Sequence, residues 1–457
     1  MTKPIGRETG KHHAPPPLIW LVALMWILAA CSPHVKLYPK IEGLTRQGKF
    51  IEAAKLVEKN RDKYAERNAV LYNLDRGLLY HYGGDYESSN RAFAAAEARM
   101  DELFTTSIAG EAGAFLSNDN TLPYRGEDFE AVTINIYRAL NYLKLGDTEA
   151  ALVEARKVNE KLEYINSNYP PDKRNVYKED GFARLLAGIL YELGGTRDDL
   201  NDAYISNRMA LENYRGDFFP QYGVDAPALL AGNLLTTAAF MGREELEQAR
   251  KAFPNSELIP LRDLSAKGRL YFVHFAGRSP IKIEGAIHAT MPDGYLMKIA
   301  FPVYKRRGYT VTGSKILVNG REAIRLEAAE PIGSIAVKNL ENRKLRIKIK
   351  AVARATTKYL ATLVAEKAVK KRQGEMAALL TRVTGNVLAA VSEQADLRSW
   401  ETLPDKILVG RVLVAPGKHR ISAHFTNAGG GVVTRKDLGS VEIKPGQAQF
   451  FILYTNY

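Results

Sequence analysis

The sequence predicts a multidomain α+β protein, with an array of paired helices in front and a β-sandwich-like domain behind that is interrupted by a helical hairpin. Three observations carry this prediction. Up to residue 263 apolar side chains recur at helical spacing; past Pro260 the period shortens to that of short strands broken by Gly, Pro and Asp; between about 334 and 395 the helical period returns. With 457 residues, 46% of them hydrophobic, the chain is long enough to bury more than one core.

Residues 1–17 carry Lys3, Arg7 and Lys11 against one acid, Glu8, and end in three prolines. An unbroken apolar run, 18–30, follows. It fits a secretory h-region of about 7–15 residues better than a spanning helix of roughly 20. The run ends in Leu28-Ala29-Ala30-Cys31, and Cys31 is the only cysteine, so no internal disulfide is available. This ending resembles the lipobox of bacterial lipoproteins, in which the chain is cut before the cysteine, the sulfur takes a diacylglycerol and the new amino group takes a third acyl chain. The resemblance implies a signal peptide at 1–30, lipidation of Cys31, a lipidated tether at 31–38 and, with Ser32 rather than Asp after the cysteine, an outer-membrane lipoprotein facing the periplasm. The plainer reading of Cys31 is a small residue at a signal-peptide end, or a thiol in an uncleaved anchor.

From 39 to 263 a turn of Gly with Asp or Lys is followed by a small residue and then a bulky one. The clearest copy runs through Gly77, Tyr80, Gly84-Asp85-Tyr86, Ser89, Phe93 and Ala96; a second has Tyr142, Gly146-Asp147 and Ala151. The pattern resembles a tetratricopeptide repeat, where small residues let paired helices approach and the glycine turns the chain. Turn glycines are expected at 48, 84, 146, 195 and 242, spaced 36, 62, 49 and 47 residues apart, so the array has insertions. An irregular helical bundle is the alternative. A solenoid would offer a concave face to a protein partner.

One insertion, 117–129, has the Asn, Asp, Pro and Gly of a loop, and its acids can start the next helix at the positive end of the helix dipole. Asp119, Tyr124, Arg125, Glu127 and Asp128 are candidates for a polar binding surface; otherwise the segment is a structural loop packed across the helices.

In the domain at 265–457, strand candidates are 270–275, 281–288, 296–304, 316–318, 407–414, 419–425, 438–443 and 450–454. Ile421, Ala423 and Phe425 alternate with Arg420, Ser422 and His424. The stretch from Ile407 onward resembles the small transthyretin-like or PEGA-type modules of envelope proteins. In the insertion, Leu345, Ile349, Val352, Thr356, Tyr359 and Leu363 form one stripe, although Leu345-Ile347-Ile349 would also suit a strand, and Met376, Leu379, Leu380, Val383, Val387 and Val391 form another; the two are expected to pack on each other or on the sandwich.

The formal charge is +13, and it is concentrated. From 334 to 382 there are thirteen Lys or Arg against Glu341, Glu366 and Glu375, a net of +10. Lys367, Lys370, Lys371 and Arg372 are the densest part. They are candidates for docking to an anionic lipid, lipopolysaccharide or an acidic protein, set against a merely solvated helix face. The export signal argues against nucleic acid.

No HExxH, GxSxG, Walker loop or GxGxxG is present, and His419 and His424 have the odd spacing of opposite strand faces, so no catalytic residue, metal site or cofactor is expected. The loop Asn118-Asp119…Leu122-Pro123-Tyr124-Arg125-Gly126-Glu127-Asp128-Phe129 and the stretch Ala395-Asp396-Leu397-Arg398-Ser399-Trp400-Glu401-Thr402-Leu403-Pro404 resemble two hallmarks of an uncharacterised family of Gram-negative tetratricopeptide-repeat-containing outer-membrane lipoproteins, although Leu397 stands where the family has Thr. That resemblance implies a helical front, a β-rich back and a place in the cell envelope; its members' gene neighbourhoods point to regulation of peptidoglycan synthesis. From the residues alone, Asp396, Arg398 and Trp400 form a junction motif, with Trp400 buried where the insertion returns to the sandwich and Arg398 paired to an acid. The expected function is a lipid-anchored periplasmic scaffold or adaptor; an accessory factor for peptidoglycan synthesis and an envelope hydrolase without a known signature are the alternatives.

Overall fold

The computed structural model describes residues 35–109, 119–169 and 176–457; the 18–30 run and residues 31–34 of the tether, Cys31 among them, lie outside the described residues. The chain is mixed α+β, helical in its N-terminal half and built on sheets in its C-terminal part.

Five helix pairs come first: α1 (Tyr38–Arg46) with α2 (Phe50–Lys59), α3 (Ala69–Gly83) with α4 (Tyr86–Ala109), α5 (Asp128–Leu145) with α6 (Thr148–Asn168), α7 (Gly181–Gly194) with α8 (Arg197–Asn213), and α9 (Ala228–Met241) with α10 (Arg243–Ala252). Each pair also packs on the next, through α2 on α3, α4 on α5, α6 on α7 and α8 on α9. Gly84 and Gly146 end their helices at φ of 81° and 84°, left-handed values that cost glycine little. The fifth expected turn differs: Gly242 is extended, with φ 161° and ψ −179°, and α9 reaches α10 without a left-handed residue. Close approach within a pair depends on small residues. A Cβ on Gly77 would lie 2.5 Å from the Phe93 ring, and Ser89 Oγ donates to the Gly77 carbonyl at 2.7 Å.

The strands are β1 (Gly268–Ala276), β2 (Ile281–Thr290), β3 (Leu296–Lys305), β4 (Gly313–Val318), β5 (Arg321–Arg325) and β6 (Glu327–Glu330), then β7 (Lys406–Val414), β8 (Gly417–Thr426), β9 (Val432–Ile443) and β10 (Ala448–Thr455). One sheet has the order β10-β1-β7-β6, with β10 parallel to β1; the other is β5-β4-β8-β9; β2 and β3 form a separate ribbon. The resemblance of the stretch from Ile407 to a self-contained module does not hold, because β1 lies between β7 and β10.

Strand β1 is buried along its whole length, and its period of two divides it between two cores. Leu270, Phe272 and Ala276 join Ile316, Ile421, Ala423 and Phe425 between the two sheets. Tyr271, Val273 and Phe275 join the helices, in one core with Tyr137, Leu186 and Trp400. The expected boundary at 263–265 therefore marks a change of secondary structure but no separation of cores.

Between β6 and β7 rise α11 (Ile332–Gln373), about 63 Å long at 1.5 Å per residue, and α12 (Glu375–Ser392). The foot of α11, with Ile332, Ile335 and Ala336, sits in the main core, and Ala351 and Ala355 pack on Ile299 of β3. Beyond Thr362 no residue of α11 is buried, and Ala378 is the one buried residue of α12. The expectation that the two apolar stripes pack on each other or on the sandwich is met at Tyr359, whose ring lies 4.8 Å from that of Tyr295, and fails for most of the other residues. Leu345 is 70% exposed, and Met376, Leu379, Leu380, Val383, Val387 and Val391 are 45–72% exposed. The faces that do pack are made of small and polar side chains: Thr362 of α11 fits against Gly385, where a Cβ would come within 2.7 Å.

Candidate functional site

The two segments that stood out in the sequence, 119–130 and 395–404, meet where the helices join the sheets. Glu130, in the first turn of α5, is fully buried. Its Oε2 accepts from Tyr124 Oη at 2.6 Å and from the Glu127 backbone N–H at 3.0 Å, and its Oε1 accepts from the Trp400 backbone N–H at 2.7 Å. Trp400 is 1% exposed and its ring lies 5.8 Å from that of Phe93. Arg398 forks onto Asp396 at 2.7 and 2.8 Å, donates to the Leu122 carbonyl at 2.8 Å, and lies 5.3 Å over the Tyr124 ring. Glu127 takes the ammonium of Lys282 on β2 and the guanidinium of Arg343 on α11. Helix, ribbon and hairpin are thus fastened at one carboxylate.

The polar surface expected of this loop is therefore largely internal. Tyr124, Glu127 and Asp128 are buried, Asp128 accepts from Tyr169 Oη at 3.1 Å, and Arg125 is half-buried. Asp119 begins a short turn at Asp119–Thr121; Asn118 lies outside the described residues. Of these side chains Tyr124 and Glu127 pack between the halves of the molecule, under Arg398 and against Lys282 and Arg343, because each charge taken from water needs a partner inside.

Another buried carboxyl, Asp75, belongs to the junction and was not singled out from sequence. Asp75 accepts from Tyr64 Oη and Thr402 Oγ1, both at 2.8 Å, and from Tyr38 Oη at 3.2 Å. Burial pushes Asp75 up to about 6, and Glu130 and Glu401 each to about 7. Farther along the same interface, Glu192 of α7 faces Arg269 and Arg411 at 3.4 Å each. A lone acid inside an apolar run was the available signal at Glu192, in Ile189-Leu190-Tyr191-Glu192-Leu193, whereas Asp75 beside Arg76 and Glu130 just after Glu127-Asp128 carry no such mark.

The basic hairpin is different. Of its thirteen cations, Arg343 meets Glu127, Arg354 and Lys358 meet Glu393 at 3.2 and 2.7 Å, and Arg382 meets Asp293 at 3.3 Å. Lys344, Lys350, Lys367, Lys370, Lys371 and Arg372 are exposed, Lys370 lying 3.0 Å from Glu375. The exposed charge is thus gathered on α11 and toward the tip of the hairpin, beside the exposed apolar stripes.

For chemistry, the described residues offer no group of three or more His, Cys, Asp or Glu that could hold a metal. His81 and His274 are core residues: His81 Nδ1 pairs with Asn141 at 2.6 Å, His274 bridges Ser314 and Thr455 at 3.0 and 2.9 Å, and burial holds them down at about 4 and 3. A cleft of about 180 Å³ lies between α6, α7 and α8 and is lined by Arg156, Arg184, Tyr191, Asp202, Ile205 and Met209. No helix among the described residues is long and apolar enough to cross a membrane. Compared with known proteins, the chain matches no family model and no curated protein.

Proposed function

We propose that the chain is a lipid-anchored scaffold of the bacterial cell envelope, held through Cys31 at the periplasmic face of the outer membrane, whose helix pairs form a tetratricopeptide-like solenoid that binds a protein partner. The observation that carries this reading is the serial packing of the pairs, each on the next, with a cleft left open between α6, α7 and α8. Serial pairs are the arrangement by which helical repeats build extended binding faces. The cleft mixes cation, aromatic and apolar surface: the Arg156 guanidinium lies 5.3 Å over the Tyr191 ring, and Ile205 is 39% exposed. An extended peptide segment with an acidic and an apolar side chain would suit it.

Two measurements test the reading separately. Labelling with a clickable palmitate analogue is expected to mark the wild-type chain and to leave Cys31→Ala unmarked; equal labelling of both removes the lipid anchor. A photocrosslinking residue at Ile205 is expected to give one discrete adduct in cells that disappears with Arg156→Glu. Adducts that are absent, or that survive this change, remove the cleft as the partner site.

A further inference from the structure

We infer that the outer face of the α11–α12 hairpin is a membrane-contact element that lies in the interface of an anionic phospholipid bilayer, its apolar stripes at the acyl boundary and its lysines at the phosphates. This deepens the envelope reading and rests on the chain working at a membrane, but not on acylation of Cys31.

Apolar exposure is concentrated here. Of the 25 large hydrophobic side chains exposed among the described residues, eleven lie between Leu345 and Val391. A merely solvated helix face does not carry so many, since apolar exposure concentrated in this way marks a contact surface. On α12 they recur at 376, 379, 380, 383, 387 and 391, one stripe of a helix whose opposite face, with Gly385 and Arg382, is taken up by α11 and Asp293. Neither helix is apolar enough to cross a bilayer. An apolar stripe bordered by lysines lies along the interface instead, the long side chains reaching back to the phosphates.

Charge selects the occupant. The exposed cations complement anionic headgroups. A second copy of the chain is disfavoured, because a two-fold contact through this face would bring together two hairpins that each carry a net charge of +10 over 334–382. The stripe is made of Leu, Ile, Val and Met with no exposed Trp, Tyr or Phe.

The test uses the full-length chain with Cys31→Ser and Val387→Cys, so that one thiol carries an environment-sensitive fluorophore. A companion chain carries the label at Ile205→Cys on the helical array. Both are reconstituted into vesicles of phosphatidylglycerol with phosphatidylethanolamine, and into phosphatidylcholine vesicles. The expected result is a blue shift and a several-fold rise at 387 on the anionic vesicles alone, quenched by brominated acyl chains and lost with Lys370→Glu, Lys371→Glu and Arg372→Glu together. The 205 label stays unchanged. Leu380→Gln, at an exposed position, lowers the quench without touching the charge. Emission at 387 that is the same on both vesicles overturns the proposal, as does a rise with protein concentration in the absence of lipid. Flotation of the chain with phosphatidylcholine vesicles reads retention by the N-terminal segment independently, so failure of the envelope reading and failure of the hairpin are told apart.

Discussion

At the junction, Glu127, Lys282 and Glu130 are buried, Arg343 is half-buried, and all are matched to one another or to backbone donors, whereas along the hairpin Lys367, Lys371 and Arg372 stand in solvent beside exposed Leu379, Leu380 and Val387. Both regions mix charged and apolar residues at high density. The difference shows how to separate residues that hold the fold from residues left over for something else. A charge inside must find its partner within the chain, and its removal strands that partner. A charge or methyl group outside is free of that condition, so its loss changes binding and not folding.

The comparison can be broken by substitution, beginning with the largest effect. Glu127→Gln leaves the buried Lys282 and the half-buried Arg343 without their carboxylate and is expected to cost about 3–5 kcal/mol in denaturant unfolding, with a smaller cost when Lys282→Met is added. Gly77→Ala presses a methyl group into the buried Phe93 ring and is expected to cost about 1–3 kcal/mol by the same measurement.

The pH dependence of melting is smaller, and its sign is fixed. Glu130 and Glu401, raised to about 7, hold protons in the folded chain that the unfolded chain has released. Stability therefore rises as pH falls from roughly 8 to roughly 6.5, by about 1 kcal/mol for each such group at most. Below roughly 6.5 His81 and His274 oppose this, because they stay neutral in the fold while unfolded imidazoles take up protons. The melting temperature is expected to be higher at the lower end of that window, and Glu130→Gln to flatten the difference. At the other extreme, Leu380→Gln on the hairpin is expected to stay within about 0.5 kcal/mol of the parent. A large loss there would mean that the stripe is used by the fold.

Much of the architecture was legible because it is local. Period-two alternation at 421, 423 and 425 and glycine turns at 84 and 146 are written within a few residues of themselves. Strands β5 and β6 were missed, since Arg321-Glu322-Ala323-Ile324-Arg325 is polar on both faces and β6 spans only Glu327–Glu330. The parallel pairing of β10 with β1 joins segments 179 residues apart, from Arg269 to Ala448, and no local pattern announces it. The same holds at the junction: the bond from Trp400 to Glu130 spans 270 residues. For the hairpin, periodicity showed which residues share a face. It could not show whether anything covers that face, because a stripe looks the same buried or bare.

The claim that one cooperative unit is fastened at the junction, with the hairpin face outside it, is tested most directly by hydrogen exchange on the parent, Glu127→Gln and Leu380→Gln chains. Glu127→Gln is predicted to speed exchange together in 128–145 and 268–276, which share a core, while Leu380→Gln changes exchange within 375–392 alone. Faster exchange confined to 119–130 in the Glu127 variant, or spread into β1 by the Leu380 variant, would contradict it.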